Sequence, residues 1–155
     1  MRFDSKVRLD VKDWALLDLL QRNARQSLAE LGRKLRLSAP AVAERMKRLE
    51  ERKVIRGYRA ELNLSALGRP LHVYLRVVVL PRDYSRFKRK IQTWNEIFEC
   101  HHVTGAESFI LRAAVTDVQT LEALIEQLAA YGPTTTSVIL STAQDRRHFV
   151  PALQR

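Results

Sequence analysis

The chain has 155 residues, of which 46% are hydrophobic, and this share excludes wholesale disorder. The formal net charge is +10, and a single cysteine, Cys100, excludes an intrachain disulfide. Residues 1–69 carry 17 Lys and Arg against 9 Asp and Glu, whereas residues 70–155 carry 10 against 8. The excess positive charge in the N-terminal half favours a polyanionic partner there. Nucleic acid fits better than an anionic membrane, because no amphipathic helix with exposed aromatic residues is predicted.

The first ten residues, MRFDSKVRLD, lack the apolar segment that a signal peptide needs. The apolar stretch Val77–Leu80 is far too short to span a membrane. We therefore expect a cytoplasmic protein with no membrane partner.

Three helices are predicted in the N-terminal half. Asp10 can cap the first, which ends near Arg22. Ser27 can cap the second, with Glu30 at the capping-box spacing. Ser38 can cap the third, over about residues 39–52, and the turn between the second and third helices is only two residues long. Two capped helices joined by a short turn are typical of a helix-turn-helix, whose second helix binds in the major groove.

The third helix has two stripes of side chains. One is apolar and is expected to pack: Ala39, Val42, Met46 and Leu49. The other, rotated by roughly 90°, begins small and becomes basic: Ala41, Arg45, Arg48 and Arg52. An ordinary solvated charged face is the alternative interpretation of this second stripe. Residues 54–62, VIRGYRAEL, read as a strand or a small wing.

The candidate DNA-binding residues follow from this arrangement. Base contacts are expected from the front of the helix, at Ser38, Ala41, Glu44 and Arg45. Phosphate contacts are expected from six cations: Arg45, Lys47, Arg48, Arg52, Arg56 and Arg59.

The C-terminal half changes to an alternating pattern after a linker over residues 62–70. Strands are predicted over residues 71–79, 97–104, 108–115 and 134–141, with helices around residues 87–94 and 118–128. The order βαββαβ is the ferredoxin-like arrangement, with both helices on one face of an antiparallel sheet. The other face is mixed in character and includes Tyr74, Arg76, Ile110, Arg112 and Ala114. We expect two such faces to pair between two chains, giving a homodimer that also suits two DNA half-sites.

The chain resembles the Lrp/AsnC (feast/famine) transcriptional regulators over nearly its whole length. The matching residues are Leu9-Asp10, Asp13, Leu16-Leu17, Arg25-Gln26-Ser27, Glu30-Leu31, Leu37-Ser38, Val42, Glu44-Arg45, Lys47-Arg48-Leu49-Glu50, Ile55-Arg56-Gly57-Tyr58, Leu67-Gly68 and Val103-Thr104-Gly105. The resemblance implies an α+β protein with an N-terminal winged helix-turn-helix domain and a C-terminal ferredoxin-like βαββαβ (RAM/AsnC-type) ligand-binding and oligomerisation domain. It also implies dimers that assemble into tetramers or octamers. Lys53 stands where the family usually has glycine, which predicts strain or a different helix ending.

The expected boundaries are a DNA-binding domain at residues 1–60, a linker at 61–70, an effector-binding and dimerisation domain at 71–145, and a solvated tail at 146–155 that Asp145 precedes.

The resemblance also implies an effector site, for an amino acid or related small molecule, around the glycine-containing turn after the second strand. The residues at that turn are Val103, Thr104, Gly105, Glu107 and Ser108, and the last strand adds hydroxyls from Thr135, Thr136 and Ser137. The family often has acids directly after this glycine and two positions later, where this chain has Ala106 and Ser108. Glu107 is therefore the one carboxylate of the turn that could meet an ammonium group. A tight hairpin with no ligand is the alternative.

The remaining signals do not indicate catalysis or a cofactor. His101 and His102 are adjacent on a predicted strand and point to opposite faces, so they cannot readily bind one metal ion. No nucleophile with a paired base is evident, and Cys100 reads as a small buried residue. The leading hypothesis is thus a transcriptional regulator that binds double-stranded DNA. The alternative is an effector-independent, sequence-tolerant architectural DNA-binding protein.

Overall fold

A computed structural model describes residues 7–145 and 148–149 of the chain. The chain forms two compact units. The second unit is residues 61–143, and the first unit is formed by the segments on either side of it. The start of the chain, residues 1–6, lies outside the described residues, as does most of the expected tail, at residues 146–147 and 150–155.

The first unit is built on three helices, and each begins as the sequence predicts. Helix α1 spans Val11–Arg22, α2 spans Leu28–Leu35 and α3 spans Ala39–Glu51. Asp10 and Asp13 form a reciprocal capping box at α1, and Ser27 and Glu30 form another at α2. These caps satisfy backbone N–H groups that have no partner inside the helix.

The helices enclose a small apolar core. Its buried residues are Leu16, Leu20, Leu31, Leu35, Val42 and Leu49. Met46 packs against this core, as the predicted apolar stripe of α3 requires. The contact between α2 and α3 depends on Gly32, since a Cβ there would lie 2.6 Å from the carbonyl oxygen of Leu37. The N–H of Leu37 donates to the oxygen of Gly32 at 2.9 Å, which closes the turn.

The strand or wing predicted over residues 54–62 is not formed. In the described chain, all four strands lie between residues 71 and 138. Strand pairing needs a neighbouring strand, and none of the four described strands pairs with residues 54–62. The segment instead turns back towards α3, because the Tyr58 hydroxyl donates to Glu50 Oε1 at 2.9 Å. Burial, followed by the hydrogen bond to Glu50, raises the pKa of Tyr58 to about 12.

Of the two outcomes predicted for Lys53 at the end of α3, strain or a different helix ending, the structure shows strain. This residue adopts the left-handed conformation with φ +59°, where a Cβ is unfavourable. The N–H groups of Val54 and Ile55 both donate to the oxygen of Leu49, at 2.9 and 3.1 Å. The helix therefore ends as it would with glycine, and Lys53 carries the strain.

The second unit is the expected ferredoxin-like fold. Strands β1 (Leu71–Val77), β2 (Ile97–His102), β3 (Phe109–Val115) and β4 (Thr134–Val138) form one antiparallel sheet in the order β2-β3-β1-β4. Helices α4 (Tyr84–Ile91) and α5 (Val118–Ala129) follow β1 and β3. Strands β1, β2 and β4 end two or three residues earlier than predicted, because apolar residues continue past the last paired residue, and β3 begins one residue later than predicted.

The core of this unit lies on one face of the sheet. Phe87, Leu124 and Leu128 of the helices join Leu75, Phe109 and Leu111 of the strands in a single buried cluster. The register places Tyr74 opposite Arg112 and Arg76 opposite Ile110, on the opposite face. Tyr74 is 40% exposed and Phe98 44% exposed. The helices therefore cover one face only. The mixed face predicted from the sequence is open at Tyr74 and Phe98 in the single chain, whereas Ala114 is buried.

Candidate DNA interface and effector region

The outer surface of α3 presents cations at regular spacing. Lys47, Arg48 and Arg52 are exposed, and Arg56 and Arg59 follow on the exposed segment after the helix. Ser38 and Glu44 are exposed near the start of the helix, where Ser38 Oγ accepts a hydrogen bond from the N–H of Ala41. Except for Arg45, the predicted phosphate-binding cations are therefore exposed to solvent, as are Ser38 and Glu44.

Arg45 differs from these cations because it is engaged inside the unit. Its Nη1 atom lies 2.6 Å from Asp10 Oδ2 and 2.6 Å from Asp13 Oδ1. Its side chain is 19% exposed. The hydrogen bonds to the two carboxylates raise the pKa of Arg45. Backbone hydrogen bonding at Asp13, followed by the guanidinium of Arg45, lowers the pKa of Asp10. Arg45 therefore links α3 to the capped N-terminus of α1.

A basic cleft of about 300 Å³ adjoins this ion pair. Four arginines line it: Arg8, Arg45, Arg48 and Arg52. No carboxylate of the described chain forms a salt bridge with Arg8, Arg48 or Arg52. Arg8 was not among the sequence candidates. Its position two residues before the α1 cap was the available signal, because the cap is bound to Arg45.

The glycine turn of the second unit is an exposed loop closed by backbone bonds. The N–H of Val103 donates to the oxygen of Ser108 at 3.0 Å, and the N–H of Ser108 donates to Val77 at 3.0 Å. Gly105 has φ +124°, and its missing side chain faces open space, since no atom lies within 4 Å of an added Cβ. Thr104 is exposed and Glu107 half-buried beside it. The turn thus presents backbone groups and one carboxylate at the end of the sheet.

Two of the predicted effector residues have other surroundings. The Ser108 hydroxyl donates to the oxygen of Val79 at 3.0 Å and accepts from its N–H at 3.2 Å. Thr136 pairs with Leu75, so it lies on the face that the helices cover. Thr135 and Ser137 pair with Arg76 and Tyr74, so they lie on the open face.

The sheet register separates the two groups of effector candidates. Phe109, Val77 and Thr134 form one row across β3, β1 and β4. The last strand is therefore two strand spacings from β3, about 10 Å. A small molecule that contacts both the turn and Thr135 of one chain would need to span that distance. Otherwise a second copy of the chain would have to complete the binding site.

The open face contains two arginines with buried, unpartnered Nε atoms, Arg76 and Arg112. The Arg112 guanidinium lies 5.7 Å from the ring centroid of Tyr74 and 5.1 Å from that of Phe98. It also donates to Glu99 Oε1 at 3.2 Å. This face combines aromatic surface with charge, a composition found at protein interfaces.

Across the part of the chain that the structure describes, no helix is long and apolar enough to cross a membrane. The same residues contain no cluster of three His, Cys, Asp or Glu side chains able to hold a metal ion.

A capped helix pair with exposed cations, joined in one chain to a ferredoxin-like sheet, defines a two-domain DNA-binding transcriptional regulator. Two family models match the chain: the AsnC-type helix-turn-helix domain over residues 9–50 and the Lrp/AsnC ligand binding domain over residues 72–149. The chain belongs to the Lrp/AsnC family of transcriptional regulators, which is not a family of enzymes.

Named relatives agree with this assignment. The chain is 35% identical to the HTH-type transcriptional regulator LrpC of Bacillus subtilis over 135 residues, 87% of this chain and 94% of LrpC. It is 31% identical to the leucine-responsive regulatory protein of Escherichia coli K12, over 95% of this chain and 96% of that protein.

Solved structures show the same fold. The structure of B. subtilis LrpC matches with a TM-score of 0.85 and 34% identity, covering 90% of this chain and all of that one. A transcriptional regulator of Neisseria meningitidis, solved as a complex with L-methionine, matches with a TM-score of 0.84 and 25% identity, covering 92% of this chain and 96% of that one.

Proposed function

We propose that this regulator binds specific DNA sites and that an amino acid or related small molecule modulates the binding from between C-terminal domains. The proposal of DNA binding is supported by the exposed basic surface of α3, at Lys47, Arg48 and Arg52. These cations follow the capped N-terminal part of the helix, which contains Ser38, Ala41 and Glu44. Such cations contact phosphates and fix the register in which the front of the helix meets base edges.

The proposed phosphate contacts are Arg8, Lys47, Arg48, Arg52, Arg56 and Arg59. Arg45 is proposed to act indirectly, by holding α3 at its angle to α1. Neutralising one phosphate contact should lower the slope of log affinity against log salt by about 1. Titrating DNA at several salt concentrations with Arg48→Ala and Lys90→Ala tests this assignment. Lys90 is an exposed cation of α4 and serves as the matched control.

We expect Arg48→Ala to weaken binding and flatten the salt dependence, while Lys90→Ala leaves both unchanged. Equal effects of the two variants would show that net charge alone, and not this surface, drives binding.

The effector part of the proposal draws on the Lrp/AsnC ligand binding domain, on leucine-responsive relatives and on the L-methionine complex of the Neisseria regulator. The proposed contacts in this chain are Thr104, Gly105 and Glu107 of the turn, with Thr135 and Ser137 of β4. Val103, Ser108 and Thr136 shape the site through their backbone and packing. An ammonium group would meet the Glu107 carboxylate, and the hydroxyls would meet a carboxylate or side-chain polar group.

A thermal-shift screen of the common amino acids tests this proposal. A ligand at one hundred times its Kd stabilises the folded state by about 2.7 kcal/mol, which is readily detected. Glu107→Gln should abolish the shift, whereas Glu122→Gln on exposed α5 should keep it. Stabilisation that survives Glu107→Gln would move the site away from the turn.

The homodimer is proposed to form through the open face of the sheet. It rests on the exposed Tyr74 and Phe98 and on the unpartnered Nε atoms of Arg76 and Arg112. Higher assembly to tetramers or octamers would then place the turn of one chain beside β4 of another, which would close the gap of about two strand spacings between the turn and β4.

A further inference from the structure

The outer face of α1 meets a segment from the far end of the chain. Gln21 Nε2 donates to the backbone oxygen of Phe149 at 2.9 Å, and the backbone N–H of Phe149 donates to Gln21 Oε1 at 2.7 Å. One carboxamide thus binds both polar groups of a single residue. This two-point arrangement reproduces the bonding between neighbouring strands and selects an extended backbone.

The side chains of the two segments also meet. The rings of Trp14 and Phe149 lie with centroids 6.4 Å apart and planes tilted by 32°. Trp14 and Gln21 are seven residues apart on α1, so they lie on the same helix face. Leu16 and Leu20 face the core instead. The face that meets the tail is therefore separate from the face that builds the three-helix core.

Gln21 is held in position for this contact by its own helix. Its Nε2 atom also donates to the oxygen of Leu17 at 3.3 Å, so α1 itself helps to orient the carboxamide towards Phe149. Phe149 remains 73% exposed, so the contact buries little apolar surface and depends on the backbone hydrogen bonds. A light, directional contact can form and release without unfolding either segment.

We propose that the outer face of α1 is a docking site for the chain's own C-terminal segment, in which Gln21 binds the backbone of Phe149 and Trp14 contacts its ring. The chain leaves the first unit after Ala60 and returns to it at Gln144. Docking of Phe149 therefore attaches the DNA-binding unit to the rest of the chain at a second point, in addition to the linker. This role is independent of any effector and of DNA sequence preference.

The two tryptophans of the chain, Trp14 and Trp94, provide the test. Full-length protein labelled with 5-fluorotryptophan gives two fluorine resonances, one near the docking site and one in the core of the second unit. Phe149→Ala removes the ring beside Trp14 and should shift that resonance. Gln21→Ala lies two turns from Trp14, so it should cause the same shift only by releasing the tail.

Matched controls separate docking from general surface effects. Leu140→Ala removes an apolar side chain that is 93% exposed, and Gln119→Ala removes an exposed carboxamide on α5. Both should leave the Trp14 resonance in place, and all four variants should leave the Trp94 resonance in place. Hydrogen exchange of the Phe149 amide should accelerate about fivefold or more in Gln21→Ala, the effect of losing roughly 1 kcal/mol of hydrogen bonding.

Three results would overturn the proposal. The first is an unmoved Trp14 resonance in Gln21→Ala, and the second is a Phe149 amide that exchanges equally fast with and without Gln21. The third is a Trp14 resonance that reverts to the released position on dilution, since the tail would then come from a second copy of the chain.

Discussion

At the scale of single residues, Arg45 shows how a cation in a DNA-binding helix can act through structure. It binds Asp10 and Asp13, and the Asp13 side chain is only 13% exposed. Arg48, one turn away, is exposed. We predict that Arg45→Met lowers the free energy of unfolding by about 2 kcal/mol, less than the roughly 3–5 kcal/mol of a fully buried pair, because Asp10 is half exposed. Arg48→Met should change it by less than about 0.5 kcal/mol.

Chemical unfolding of both variants checks this difference, and DNA titration should give the opposite order at a protein concentration where both are folded. Equal stability of the two variants would contradict the structural role of Arg45.

The same ion pair gives stability a pH dependence of known sign. The pKa of Asp10 is lowered in the folded chain, so its contribution is complete above the unfolded value of about 3.9 and is lost as the pH falls through the folded value. We expect the stability difference between wild type and Arg45→Met to be largest near neutral pH and to shrink below about pH 4. Urea unfolding at several pH values measures it, and a difference that stays constant down to pH 3 would exclude the carboxylate linkage.

Lys53 stands where the family usually has glycine, yet its backbone adopts the left-handed conformation that glycine favours. Its φ of +59° costs a residue with a Cβ more than it costs glycine. Lys53→Gly should therefore raise the free energy of unfolding by about 0.5–1 kcal/mol, after the greater freedom of glycine in the unfolded chain is subtracted. Lys53→Ala keeps the Cβ and removes the charge, so any gain it shares with Lys53→Gly would come from charge and not from backbone relief.

At the scale of elements, the contact between α2 and α3 sets the geometry of the helix pair. Propensity alone would make Gly32→Ala stabilising by about 1 kcal/mol, since glycine is unfavourable inside a helix. The Cβ would however lie 2.6 Å from the Leu37 oxygen in a closed turn. We predict a loss of about 1–3 kcal/mol, measured by thermal or chemical unfolding.

Ala29→Gly at an exposed position of the same helix is the control, with the ordinary cost of about 1 kcal/mol. A stabilised Gly32→Ala variant would show that the turn can open without penalty.

The sequence predicted these elements well wherever local signals and packing agree. Asp10, Ser27 and Ser38 each cap the helix they were expected to cap. The strand predicted after α3 failed, because β-branched and alternating residues at 54–62 indicate extended backbone without showing whether a partner edge exists. The site was predicted in part: spacing placed Arg45 and Arg48 on one stripe, but the pairing of Arg45 with Asp10 is a contact between residues 35 positions apart. Ser108 was selected for its place in the glycine turn, and only the fold shows that its hydroxyl donates to the backbone oxygen of Val79.

At the scale of the whole molecule, the open sheet face should bring two copies together. An interface needs a well-packed apolar centre, and Tyr74 and Ile110 lie at the middle of this face. Ile110→Lys should place a second positive charge directly opposite Arg76 and convert a dimer into a monomer at micromolar concentration, as measured by chromatography with light scattering. Val118→Lys, at a 66% exposed position of α5 on the other side of the sheet, should remain dimeric. A monomeric wild-type protein would exclude this assembly.

We propose that this chain is a regulator that binds specific DNA sites and responds to a small molecule. The most direct measurement is selection of genomic fragments by the purified protein, performed with and without a mixture of amino acids, with Arg48→Ala as the control for binding through α3. We predict enrichment of fragments that share a two-fold symmetric site, lost in Arg48→Ala and altered in strength or position by the amino acids. Enrichment without any shared sequence, unchanged by amino acids, would show instead that the protein binds DNA without sequence preference or an amino-acid response.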